Sequence, residues 1–169
     1  MTDATSFVCA TCGARHESAS GFSFDAPDHY AGLTPEEQRT IAELGPDTCV
    51  IAATDHFVRG CLEIPVHGQS DPFVWGVWVT LSPINFVRYA ATLGRDTAAE
   101  GPYFGWFSNQ LPGYPDTLNL KTNVHFRSGR LRPAIELEPT SHPLAVHQRD
   151  GIAPEAFQKL LGACLHRVR

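Results

Sequence analysis

The chain has 169 residues, enough for one domain to bury about 70% of the surface its unfolded form exposes without help from disulfides. Thirteen Lys and Arg against eighteen Asp and Glu leave a formal charge of −5, and no local run of like charge offsets that mild acidity. Such a surface suits neither a nucleic-acid backbone nor an anionic membrane. No apolar run approaches the roughly 18 residues that span a bilayer, and no basic start leads into an apolar stretch, so a cytoplasmic location is expected. Five unevenly spread cysteines fit reduced thiols with some metal ligands better than a disulfide framework.

Repeats, low-complexity tracts and linkers are all missing, which predicts a single domain over 1–169: a short arm at 7–16 and a main body at 47–166. The arm carries Phe7-Val8-Cys9-Ala10-Thr11-Cys12-Gly13. Two thiolates at that spacing grip one tetrahedral ion and the glycine permits the tight turn beneath, so the segment reads as a zinc knuckle. His16 stands at a reachable distance along the chain. A closed structural site needs four ligands, and Cys49, Cys61, His29, Cys164 and His166 are the candidates to complete it. A redox reading is less apt, because no strand-crossover-strand unit surrounds the pair.

Thr34-Pro35-Glu36-Glu37 has the form of a capping box, and Gly45-Pro46 should stop the helix that it opens. Thr48–Ala52 and Phe57–Val66 should form a hairpin. With Ala52 opposite Phe57, residues Cys49, Ile51, Val58, Leu62 and Ile64 share an apolar face, and Arg59, Cys61 and Glu63 share the other. Arg59 and Glu63 then make a surface ion pair. Periodicity thus assigns Cys49 to the core. Phe73–Leu81 is apolar on both faces, as a central strand is. Ser82-Pro83 starts a helix with Ile84, Val87 and Ala91 as its apolar stripe, ended at Gly94.

Tyr103–Leu111 is the next strand, ended by the Pro112-Gly113-Tyr114-Pro115 turn, where Trp106 and Tyr114 cap the core. Leu118 to Phe126 alternates and turns back at Ser128-Gly129. Pairing Phe126 with Leu131 sets Lys121 opposite Glu136, and Pro133 marks an edge or a bulge. His142-Pro143 reads as an extended connection. The clearest helix runs from about Pro154 to His166, with Phe157, Leu160, Leu161, Cys164 and Leu165 on one stripe. In sum the pattern predicts an α+β domain with an antiparallel or mixed sheet of about five to six strands, covered on one side by about three helices.

No phosphate-binding glycine loop, His-Glu-x-x-His or Gly-x-Ser-x-Gly occurs. Glu136 and Glu138 share a strand face, an arrangement more typical of a solvated surface than of acid/base catalysis.

The Cys-x-x-Cys-Gly-x-x-His at 9–16, Arg59-Gly60 through Ile64-Pro65-Val66, Trp75-Gly76-Val77-Trp78-Val79, Gly105-Trp106 through Leu111-Pro112, Arg132-Pro133 and His142-Pro143-Leu144-Ala145-Val146 resemble a bacterial family catalogued as domain of unknown function 2199. The likeness spans Phe7 to His166. It implies no activity, substrate or partner. It does imply a zinc site of Cys9, Cys12, His16 and Cys49, against the strand-face reading of Cys49. Two functional expectations follow: a binding or regulatory module that meets a protein partner through Trp106 and Tyr114, or a metal-dependent hydrolase with an open zinc position.

Overall fold

A computed structural model describes residues 6–167 of the chain. Two short strands, β1 (Ser6–Val8) and β2 (Arg15–Glu17), form an antiparallel ribbon of their own with Phe7 opposite His16. The remaining strands make one mixed sheet, in which β3 (Gly21–Ser23) runs parallel to β7 (Phe73–Leu81). β7 pairs along its whole length with β6 (Asp55–Ile64). The other edge of β6 is shared. β5 (Thr48–Ile51) takes its first half, with β4 (Ala42–Leu44) outside it, and β10 (Ala134–Leu137) meets it in parallel at the single pair Ala134↔Cys61. β9 (Lys121–Phe126) and β8 (Glu100–Trp106) follow.

The sheet then curls on itself. Phe107 bridges back to Val79, the Ser108 N–H donates to the Trp78 carbonyl at 2.9 Å, and the Trp106 N–H donates to Thr80 Oγ1 at 2.9 Å. Gly105 permits this approach, since a Cβ there would lie 2.2 Å from the Thr80 carbonyl oxygen. Strand curvature of this kind closes a sheet toward a barrel and removes exposed edges.

Among the described residues five helices complete the domain: α1 (Asp28–Ala31), α2 (Pro35–Thr40), α3 (Pro83–Ala90), α4 (Pro143–Asp150) and α5 (Pro154–Leu165). The main core joins Val58, Leu62, Trp75, Val77, Phe107, Val124 and Ile135 to Leu144 of α4 and Phe157 and Leu161 of α5. A second, smaller core of Cys49, Ile51, Phe57 and Trp78 lies on the opposite face of β6 and β7.

The fold is α+β as expected, with more strands and helices than the pattern predicts. The capping box opens α2 and both of its hydrogen bonds form, but the helix ends at Thr40 and Ala42–Leu44 becomes a strand. In the β5–β6 hairpin Ile51, not Ala52, meets the turn-closing partner Asp55. Ala52 and Ala53 both adopt positive φ, 53° and 55°, in a tight turn usually made by Gly, Asn or Asp. The register therefore moves by an odd number of residues and turns Cys49 and Ile51 to the face opposite Val58.

In β9–β10 the shift is even. Faces are kept, but Asn123 rather than Lys121 stands opposite Glu136. Ile84 and Val87 of α3 point to solvent, while Phe86 and Tyr89 turn inward toward the main core. His142-Pro143 is a helix start: Pro143 occupies the first turn, where a missing N–H costs nothing, and His142 Nδ1 accepts from the Leu144 N–H at 3.1 Å. Arg59 meets Asp25 at 3.7 Å and lies over the Trp78 ring, away from the expected pairing with Glu63.

Candidate metal centre

The loop between β1 and β2 is fixed by its own backbone. The Gly13 N–H donates to the Cys9 carbonyl at 2.8 Å, the Cys9 N–H donates to the Ala14 carbonyl at 2.8 Å, and Gly13 takes φ +71°, a conformation open to glycine at little cost. This turn carries Cys9 and Cys12 on one side, and the first residues of β2 bring His16 back beside them. The last partner arrives from the other end of the chain. α5 runs past the loop with Gly162 facing it, where a Cβ would stand 3.4 Å from Cys9 Sγ and 3.5 Å from Thr11 Oγ1. One turn further on, His166 caps the helix with its N–H bonded to the Gly162 carbonyl at 3.1 Å.

The result is a cluster of Cys9, Cys12, His16 and His166 whose donor atoms all lie within 4.8 Å of one another. Cys12 Sγ and His16 Nε2 are 3.2 Å apart, and the two imidazole rings meet edge to face at 5.6 Å. Two sulfurs and two ring nitrogens suit a divalent zinc-like ion, and a tetrahedron with the usual bond lengths has edges of roughly 3.3–3.8 Å. A contraction of about 1 Å on the widest pair fits such an ion. Cys9 is buried, His16 is partly covered, and Cys12 and His166 are exposed, so the cluster sits at the surface with one donor rooted in the core.

Electrostatics prepare the inner thiol for this work. Burial pushes the Cys9 pKa up, but hydrogen bonds from the backbone N–H groups of Cys12 and Thr11 and from the Cys12 and His166 side chains outweigh it and hold the thiol at about 6, against an ordinary 9.0. A thiol with that preference supplies the thiolate that a metal needs.

Among the four residues put forward from sequence, the structure brings Cys9, Cys12 and His16 together and leaves Cys49 elsewhere. Cys49 is fully buried in the second core, and burial alone pushes its thiol up to about 11. Cys164 also lies in the core, with its thiol pushed up to about 12 by burial against the lowering influence of Arg167. Cys61 lies in the middle of β6, and the His29 ring packs at a tilt against Phe57, both outside the cluster. His166 takes the fourth place. Gly162, one turn before it, is a small residue where the Cys9 loop packs closely, but that step alone does not single out His166 in the sequence.

Fold and cluster together define a small α+β domain that ties its two ends at a four-donor cluster able to hold a metal ion. The family model described as an uncharacterized protein conserved in bacteria, domain of unknown function 2199, matches residues 8–152, and the chain belongs to that family. His166 and the whole of α5 lie beyond the matched span. Neither the curated proteins nor the solved structures hold a match to the chain.

Proposed function

We propose that the domain is an intracellular bacterial binding module built around a closed structural zinc site of Cys9, Cys12, His16 and His166. The convergence of four donors from opposite ends of the chain carries this reading. Zinc held by four protein ligands contributes folding energy and has no open position for a reactive water, which counts against the hydrolase alternative. None of the five cysteines forms a disulfide, so Cys9 and Cys12 are open to a metal.

The contact surface for a protein partner would be the exposed pair Phe104 and Trp106, whose rings meet edge to face at 4.8 Å on the outer face of the sheet. Tyr114, expected beside Trp106 in that patch, is buried instead, with its hydroxyl 2.9 Å from His147 Nδ1. Elemental analysis of untagged, reduced protein tests the metal: about one zinc per chain is expected, falling away in His166→Ala. Folded protein free of transition metal, or undiminished zinc in His166→Ala, would sink the proposal. A Phe104→Ser/Trp106→Ser double variant should keep its zinc and lose its captured partner.

A further inference from the structure

A cleft opens where β6 and β10 part company. The two strands touch at Ala134↔Cys61 and then diverge, and the carboxamide of Gln148 from α4 enters the gap. It accepts from the Leu137 N–H at 2.8 Å and donates to the Ile135 carbonyl at 2.8 Å, taking the place of a neighbouring strand's peptide group. The backbone edge of β10 is thereby satisfied without closing the sheet. What remains is a cavity of about 910 Å³, a volume typical of small-molecule sites.

Its chemistry has a direction. Glu63 and Glu136 each lie two residues beyond the bridging pair, so the pleat sends both side chains to the same face at the same level, one on each wall. Neither makes an ion pair with Lys or Arg among the described residues. Glu136 Oε1 reaches Asn123 Nδ2 only at 3.4 Å and His125 Nε2 only at 3.8 Å, both longer than a good hydrogen bond. Of the two arginines lining the same cavity, Arg149 pairs with Asp150 at 3.4 Å, while Arg127 donates its Nε to the Arg132 carbonyl at 2.6 Å and keeps its charge. Asp71 adds a third carboxylate to the lining, and Val66, Ala145, Ile135 and Leu137 supply an apolar wall.

We infer that this cleft binds a small organic amine, its ammonium group held between Glu63 and Glu136 and its carbon chain laid on the apolar wall. A plain amine and an amino acid share that head group, and the test separates them. Cys61 lines the cavity as a free, half-buried thiol and serves as the reporter. Zinc-loaded full-length protein is alkylated with iodoacetamide in the presence of hexylamine, ε-aminocaproate, caproate or hexanol, and the modification of each cysteine is followed by peptide mass spectrometry.

Hexylamine should slow the alkylation of Cys61 saturably and leave that of Cys12 unchanged. Protection by ε-aminocaproate equal to or greater than that by hexylamine assigns the site to amino acids, and weaker protection assigns it to plain amines. Glu63→Gln and Glu136→Gln, both exposed isosteric changes, should each weaken protection about tenfold or more, as loss of a charge-assisted hydrogen bond does. The inference fails if neither amine protects Cys61, if caproate or hexanol protects as well as hexylamine, or if both Gln variants bind like the parent.

Discussion

Nine consecutive residue pairs join β6 to β7, whereas three join β1 to β2. From Val58 onward the first pair of strands is apolar on its inner face, with Val58, Leu62, Ile64, Trp75, Val77 and Val79 all fully buried. The second is a surface ribbon whose Phe7 and Cys9 reach the core and whose other residues are open to solvent in whole or part. Burial of apolar area holds the sheet with no need of a metal. The ribbon buries too little to offset the entropy of ordering its turn, and four convergent donors are the means by which a metal would hold it. On the proposed reading the domain uses two unrelated sources of stability, and each is open to a separate attack.

The largest effect should come from the sheet. Trp75→Ala leaves a cavity in the centre of the core and should cost about 3–5 kcal/mol in urea unfolding of the metal-loaded protein. The fraction that stays folded should keep its full metal content, because Trp75 is not one of the four donors. Loss of metal from folded Trp75→Ala would mean that the two systems are coupled after all.

Chelation attacks the other side. Removing the ion, or replacing Cys9 with Ser, should speed amide hydrogen exchange across 7–17 and at the end of α5 while the β6–β7 amides keep their protection. Cys9→Ser should also lower zinc affinity by more than the 10–100-fold that loss of an outer-shell partner costs. Equal acceleration in β7 would show that the ribbon is not a separate unit. Cys49→Ser sharpens the contrast between the two kinds of cysteine. A hydroxyl in the closed second core lacks a partner and should cost about 1–3 kcal/mol, with zinc content unchanged. A Cys49→Ser protein that loses zinc would return that residue to the site.

How far the sequence speaks depends on which physical rule decides each element. β7 and α5 were legible because their periods of two and 3.6 continue long enough to mark a face. The start of α3 is legible too, but the helix stops at Ala90, short of Gly94, and Phe86 and Tyr89, not Ile84 and Val87, pack inward. The β5–β6 register escaped because Ala52 and Ala53 carry no local sign of positive φ. α4 escaped because the residue before a proline is biased toward extended backbone, which fits a helix N-cap as well as a connection. For the site, the Cys9-x-x-Cys12 spacing and His16 are local and readable. The fourth donor comes from 150 residues further along the chain than His16, and nothing in local spacing selects His166 over the other candidates.

The smallest effect concerns pH, and it acts on the body of the domain. His147 is partly buried in α4, and burial holds its pKa below the ordinary 6.5. Its Nδ1 lies 2.9 Å from the Tyr114 hydroxyl, whose own pKa burial drives far upward, so the phenol keeps its proton and donates it. A protonated imidazole has no lone pair left at Nδ1 to accept that bond. Because the folded pKa is depressed, the unfolded chain takes up its proton first as the pH falls. Stability from this residue is therefore complete above about 6.5 and declines as the pH drops through the folded value. His147→Gln removes the titration and should flatten the slope of urea-unfolding free energy between about pH 7 and pH 5 relative to the parent. Acid release of a metal held at the cluster would act equally on both proteins, so it cancels in that difference. Parallel slopes in the two proteins would show that the Tyr114–His147 contact does not govern the acid limb.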